Sequence, residues 1–155
     1  MSDKKLAIIA TKGTLDWAYP PFILASTASA LGYETEIFFT FYGLQLLKKD
    51  LKLQVTSLGN PGMPMPMPMP VMVQALPGMQ SMMTMMMKQK MKSKGVASVE
   101  ELRELCVEAE VRLVACQMTV DLFDMDTKDF LDGIEYGGAA TFFEFAGESD
   151  ICLYI

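Results

Sequence analysis

Val111-Arg112-Leu113-Val114-Ala115-Cys116-Gln117-Met118-Thr119 is the stretch whose reading decides the fold. Its first half is short and almost wholly apolar, the pattern of a strand covered on both faces. Such strands belong to parallel sheets, where crossover helices lie over both sides. The strand ends in a cysteine, and Thr119 stands where it can N-cap a helix opening Val120-Asp121-Leu122-Phe123. A thiol between a buried strand and a helix N-terminus meets unpaired backbone N–H groups and a helix dipole that favour a thiolate. The competing reading is an inert, packed cysteine, since free cysteine is among the most buried residue types.

Working outward, Ser98-Val99-Glu100-Glu101 is a capping box. It predicts a helix with Val99, Leu102, Leu105, Cys106 and Ala109 on its apolar face. Beyond the cysteine, residues 126–132 read as a short helix capped by Asp126, and 134–136 as a short strand. Gly137-Gly138 leads into a helix over 139–145, and 151–155 (ICLYI) reads as a terminal buried strand. At the other end, residues 5–11 are apolar enough for a central strand, with 12–16 as its exit loop. A helix over 17–31 is stopped by Gly32, with Pro20 and Pro21 tolerable only in its first turn. Residues 34–41 are rich in β-branched and aromatic residues, as a strand requires. A short helix over 44–50 and an extended segment over 53–58 follow.

Residues 63–70 are four Met-Pro dipeptides. Proline lacks a backbone donor, so this tract suits an extended polyproline-like path rather than a helix interior or central strand. Residues 79–94 read as a helix with Met79, Met82, Met83, Met86 and Met87 on one stripe. Thioethers suit soft ions such as Cu(I), and Met-rich surfaces suit adaptable protein contacts. The reading preferred here is a loop and helix packed against the domain or a second subunit, because so apolar a stretch is costly to leave in water. Alternating strands and helices predict a single α/β domain over 1–155, with a mainly parallel sheet and a Met/Pro-rich insertion at about 60–94.

Composition narrows the chemistry. The 155 residues are 51% apolar and carry a net charge of −6, which argues against a nucleic-acid partner. No apolar run reaches membrane-spanning length and no secretory signal opens the chain. Three cysteines, an odd number, then point to reduced thiols and a cytoplasmic location. The chain has no histidine, which removes Ser-His-Asp and Cys-His pairs and His-based metal sites. No CxxC is present, which argues against a thioredoxin-like dithiol or a zinc knuckle, and no cofactor is expected.

In an open parallel sheet, chemistry collects beyond the carboxyl ends of the strands. Among the residues placed there, Cys116 alone has a nucleophile's chemistry at neutral pH. Lys12 is the candidate cation and Asp16 the candidate orienting group, against the plainer reading of both as a solvated turn. Cys106 is set about 10 Å along the axis from Cys116, beyond the roughly 7 Å disulfide limit. It is expected in the core. Cys152, near the start of the last strand, is expected toward the opposite edge from Cys116 and also in the core.

The segments Thr11-Lys12-Gly13-Thr14-Leu15-Asp16, Ile37-Phe38-Phe39-Thr40-Phe41-Tyr42-Gly43-Leu44, Gly59-Asn60-Pro61-Gly62 with its Met-Pro repeat, Gly95-Val96-Ala97-Ser98-Val99-Glu100-Glu101-Leu102, Ala115-Cys116-Gln117-Met118-Thr119 and Gly133-Ile134-Glu135-Tyr136-Gly137-Gly138 together resemble the DsrE/DsrF-like family, in its sulfurtransferase branch. The resemblance implies a flavodoxin-like α/β domain with helices on both faces, assembling as a homo-oligomer. It also implies a cysteine that holds sulfane sulfur as a persulfide and exchanges it with TusA-like or rhodanese-like proteins. That cysteine matches Cys116. No peroxidase is implied. The alternative is an oligomeric scaffold or regulatory module that binds a partner, or Cu(I), through its Met-rich surface.

Overall fold

The structure is a computed structural model that describes residues 4–56 and 70–155. The 63–70 tract and the end of the 53–58 segment fall outside the described residues, apart from Pro70. In chain order the elements are β1 (Lys5–Ala10), α1 (Leu15–Ala30), β2 (Glu34–Phe39), a 3-10 segment Phe41–Leu47, α2 (Val71–Gln74) and α3 (Met79–Ser93). They continue with α4 (Val99–Glu108), β3 (Arg112–Cys116), α5 (Gln117–Leu122), a 3-10 turn Thr127–Asp129, β4 (Glu135–Gly137), α6 (Ala139–Ala146) and β5 (Ile151–Tyr154).

The five strands form one sheet in the order β4-β3-β2-β1-β5, every pairing parallel. From β1 to β4 the chain steps one way across the sheet, and right-handed crossovers then place every connection on the same face. That face carries the main core, in which α1 and α4 bury Phe22, Ala25, Val99 and Cys106 against Ile8, Ile37, Phe39 and Leu113. The return from β4 to β5 passes three strands and lays α6 on the other face. There Phe142 and Phe145 cover Ala7, Phe38, Val114 and Cys116, with Phe38 and Phe142 ring centroids 5.4 Å apart. The α/β architecture with helices on both faces is thus as expected, and one face is much thinner than the other.

Local sequence explains most element ends. Ser98 accepts the Glu101 N–H at 3.2 Å while the Glu101 carboxylate accepts the Ser98 N–H at 3.4 Å, completing the capping box. Asp126 accepts the Lys128 N–H at 2.9 Å at the head of its 3-10 turn. Gly43 is needed where the 3-10 segment crosses β1, since a Cβ there would run into the Ala10 carbonyl.

Several expectations are corrected. The terminal strand is not buried: β5 pairs with β1 alone, and Ile151, Cys152 and Tyr154 are exposed. An edge position and the short reach of α6 account for this, because α6 packs over β1 to β3. Cys152 is accordingly a surface thiol rather than core. Pro20 and Pro21 stand in the second turn of α1, which begins at Leu15. The carbonyls of Asp16 and Trp17 therefore find no helix N–H four residues on. On α4, Leu105 is exposed and Arg103 is buried in its stead. Residues 51–56 form no strand. α3 instead docks over them: Thr84 Oγ1 accepts the Val55 N–H at 3.0 Å and Gln80 Nε2 donates to the Val55 carbonyl at 2.7 Å. Of its methionine stripe, Met83 and Met87 pack on the core, whereas Met82 and Met86 are exposed.

Candidate functional site

Cys116 is the last residue of β3 and itself the N-cap of α5. The helix therefore starts earlier than the expectation of a Thr119 cap, and Thr119 lies inside it. Its hydroxyl is recruited by another segment: Thr119 Oγ1 accepts the Phe41 N–H at 3.1 Å and lies 3.4 Å from Thr40 Oγ1. Phe41 has φ +49°, a left-handed conformation that a bulky residue holds only when its surroundings impose it. Thr119 thus ties the α5 turn to the loop leaving β2.

The topology gives Cys116 a special place. After β3 the chain passes over the thick face, burying Val120 and Phe130 there. After β4 it passes over the thin face through α6. The crossover direction therefore reverses between β3 and β4, and such a switch point is where open parallel sheets bind ligands. Cys116 and Gly137 are register partners on the final rung of those two strands. Gly137 is required beside the cysteine, because a Cβ there would stand 2.7 Å from Thr141 Oγ1 of α6.

The thiol is nonetheless covered. Cys116 is 5% exposed within the Phe142 and Phe145 cluster. Just beyond it, α5 and its C-cap Phe123 present Met118, Leu122 and Phe123 to solvent, and Phe123 stacks on Tyr42 at 5.9 Å between centroids. With Phe41 these rings border a cavity of about 440 Å³ that Phe130 and Lys48 also line.

The other expected site residues lie elsewhere. Lys12 Nζ sits 4.1 Å from the Trp17 ring centroid and 3.4 Å from Thr11 Oγ1. Asp16 accepts the Thr56 N–H at 2.9 Å and the Thr56 hydroxyl at 2.5 Å. Both follow β1, two strands or about 10 Å from β3; Asp16 clamps the 51–56 segment while Lys12 packs on Trp17, and neither flanks the cysteine. Cys106 is fully buried, donates to the Phe22 carbonyl at 3.5 Å, and burial pushes its thiol up to about 12. Cys152 shares the thin face with Cys116 but lies three strands across and four rungs lower. That is about 14 Å by about 13 Å, far beyond disulfide reach.

Two charged residues escaped sequence reasoning. Glu36, on the thin face of β2, is 0% exposed and neither carboxylate oxygen has a hydrogen-bond partner. Arg112 prefers Glu135, at 2.9 and 3.3 Å, and comes only within 3.9 Å of Glu36. Burial, opposed by Arg112, pushes Glu36 up to about 7. The available signal was a glutamate within the strand, directly before its apolar run Ile37-Phe38-Phe39. Arg103 donates to the carbonyls of Leu46 and Lys48 at 2.9 and 2.6 Å. Nothing local in the sequence marks that contact. Among the described residues no group of three or more His, Cys, Asp or Glu side chains is placed to hold a metal ion, and no helix is long and apolar enough to cross a membrane.

Fold and site together define a small α/β protein with one cysteine at the switch point of an all-parallel sheet. The chain belongs to the DsrE/DsrF/DrsH-like family, which it matches over residues 2–154. It is 78% identical over 159 residues to a protein of Allochromatium vinosum named sulfur carrier protein DsrE2, all of both chains being covered. It is 34% identical over 157 residues to the uncharacterized protein YrkE of Bacillus subtilis, covering 98% of this chain and 97% of that one. Among solved structures it resembles the ychN protein of E. coli with a TM-score of 0.56 over 98% and 99% of the two chains. Their sequences are only 12% identical, so that likeness speaks for the fold alone.

Proposed function

We propose that this protein is a sulfur carrier, with Cys116 as the atom that holds the cargo. The observation that carries the reading is the place of Cys116 on the last rung of β3, at the switch point of the sheet. The name of the Allochromatium vinosum relative supplies the chemical class of the cargo. In this reading the Cys116 thiolate attacks the outer sulfur of a donor persulfide and the donor thiolate leaves. Cys116–S–SH results with no net oxidation. An acceptor thiolate then attacks that outer sulfur and releases the Cys116 thiolate, as in thiol–disulfide exchange. Thr119 acts as a positioning residue by fixing α5 to Phe41, while Lys12 and Asp16, held elsewhere, are left without a part in the transfer. The exposed rim of Met118, Leu122 and Phe123 provides the contact for a sulfur-transfer partner such as a TusA-like or rhodanese-like protein.

The test is incubation with a persulfidated low-molecular-weight thiol followed by intact mass spectrometry. A gain of one sulfur atom is expected in the wild type and Cys152→Ser, and is lost in Cys116→Ser. A gain that survives Cys116→Ser overturns the assignment.

The burial of Cys116 favours a second reading, a scaffold that docks a partner through the exposed methionines of α3 while the thiol is merely packed. It predicts no sulfur uptake on Cys116 under native conditions.

A further inference from the structure

A second cavity, of about 320 Å³, lies between the segment that follows the 3-10 helix Phe41–Leu47 and the turn Thr127–Asp129. Lys48, Lys49, Lys52 and Lys128 line it, against the carboxylates of Asp50 and Asp129. This concentration of ammonium groups occurs in a chain of net charge −6. Lys49 reaches Asp132 at 3.7 Å and Lys52 reaches Asp50 at 3.5 Å. Among the described residues, Lys48 and Lys128 have no carboxylate within ion-pair distance.

The walls are fixed by backbone. The Lys49 N–H donates to the Asp129 carbonyl at 2.8 Å and the Leu131 N–H to the Leu47 carbonyl at 2.9 Å, so the two lysine-bearing segments are stapled side by side. Arg103 lies behind them, 7% exposed, its guanidinium spent on the carbonyls of Leu46 and Lys48. No carboxylate stands within ion-pair distance of it among the described residues. A buried cation without a countercharge is costly on its own. It adds to the positive field of the cavity in front of it, where solvent screening is reduced.

We propose that this cavity binds a small multivalent oxoanion of the phosphate or sulfate type. Several ammonium groups around a concave site suit a compact dianion, which each lysine meets as a point charge. The proposal is independent of whether Cys116 carries sulfur. An acidic peptide is the rival occupant; a concave site of this size, with Asp50 and Asp129 in its wall, suits a compact anion better than an extended acidic chain.

The test is a ¹H–¹⁵N NMR titration of the full chain with inorganic phosphate, sulfate and chloride at matched ionic strength. Saturable shifts centred on residues 48–52 and 128–130 are expected with phosphate or sulfate and not with chloride, and whichever binds tighter identifies the anion type. Lys48→Gln with Lys128→Gln should weaken that binding about tenfold or more, since hydrogen bonds between charged groups are the strong ones. A retained spectrum in the double variant shows that it still folds. Equal shifts with chloride, undiminished binding in the double variant, or saturation by a glutamate-rich peptide without either dianion would overturn the proposal.

Discussion

The two faces of the sheet are built to different depths. On the thick face, α1 and α4 seal a core containing Phe22, Phe39 and Cys106, all fully buried. On the thin face a single helix of 8 residues, α6, covers Cys116 and leaves Cys152 and Tyr154 bare. Both faces hold a buried thiol, and their surroundings differ in kind. Cys106 donates from α4 to a carbonyl of the neighbouring α1, whereas Cys116 lies at a strand end under a cover anchored by two phenylalanines. A cover that thin opens at lower free energy than the core it borders, as local unfolding generally does.

The sharpest way to break this comparison is thiol labelling with iodoacetamide, read by peptide mass spectrometry. Cys152 should react as an open thiol. Cys106 should react only through global opening, slower by a factor on the order of 1,000 or more. Cys116 should fall between them, and Phe142→Ala should accelerate Cys116 while leaving Cys106 protected. Labelling of Cys106 before Cys116 would abolish the distinction. Next in size is the cost of emptying each layer. Phe22→Ala should lose about 3–5 kcal/mol in urea unfolding, and Phe142→Ala about 2 kcal/mol, because the thin layer can relax around the void. Equal losses would mean that the faces are equally packed.

A smaller effect comes from Glu36, which the thin face buries beside Arg112, Glu135 and Glu34. Its carboxyl is pushed up from 4.5 to about 7, so the folded chain keeps a proton that the unfolded chain releases above the ordinary value. Stability from this group is whole below about pH 4.5 and is lost as pH rises to about 7, by about 3 kcal/mol in all. Glu36→Gln should flatten that part of the stability profile relative to the wild type. Parallel profiles in the two proteins would show that the carboxylate is compensated.

How much of this was legible beforehand depended on whether a residue's partner was near in sequence. The Ser98 box, the apolar run into Cys116 and the Asp126 cap are local, and each forms in the structure. Thr119 was misread because its hydroxyl serves Phe41, from a loop on another strand. Arg103 was invisible because its acceptors lie more than fifty residues away. The apolar composition of Ile151-Cys152-Leu153-Tyr154 suggests burial equally well for an inner and an outer strand. Only the strand order, with β5 outside β1, decides the matter. That order also moved Lys12 and Asp16 away from Cys116, although every strand exit shares one edge.

The same strand order has a consequence for biosynthesis. Strands β1 to β4 are laid down in the sequence in which they pair, so most of the sheet can assemble while translation is still under way. The outer flank of β1 waits for β5, whose backbone bonds include Ile155 N–H to the Ile9 carbonyl at 2.8 Å and Thr11 N–H to the Ile155 carbonyl at 3.0 Å. A ribosome that stalls before codon 151 therefore releases a nearly finished domain with an open hydrogen-bonding ledge, a template for nascent chains to stick to one another.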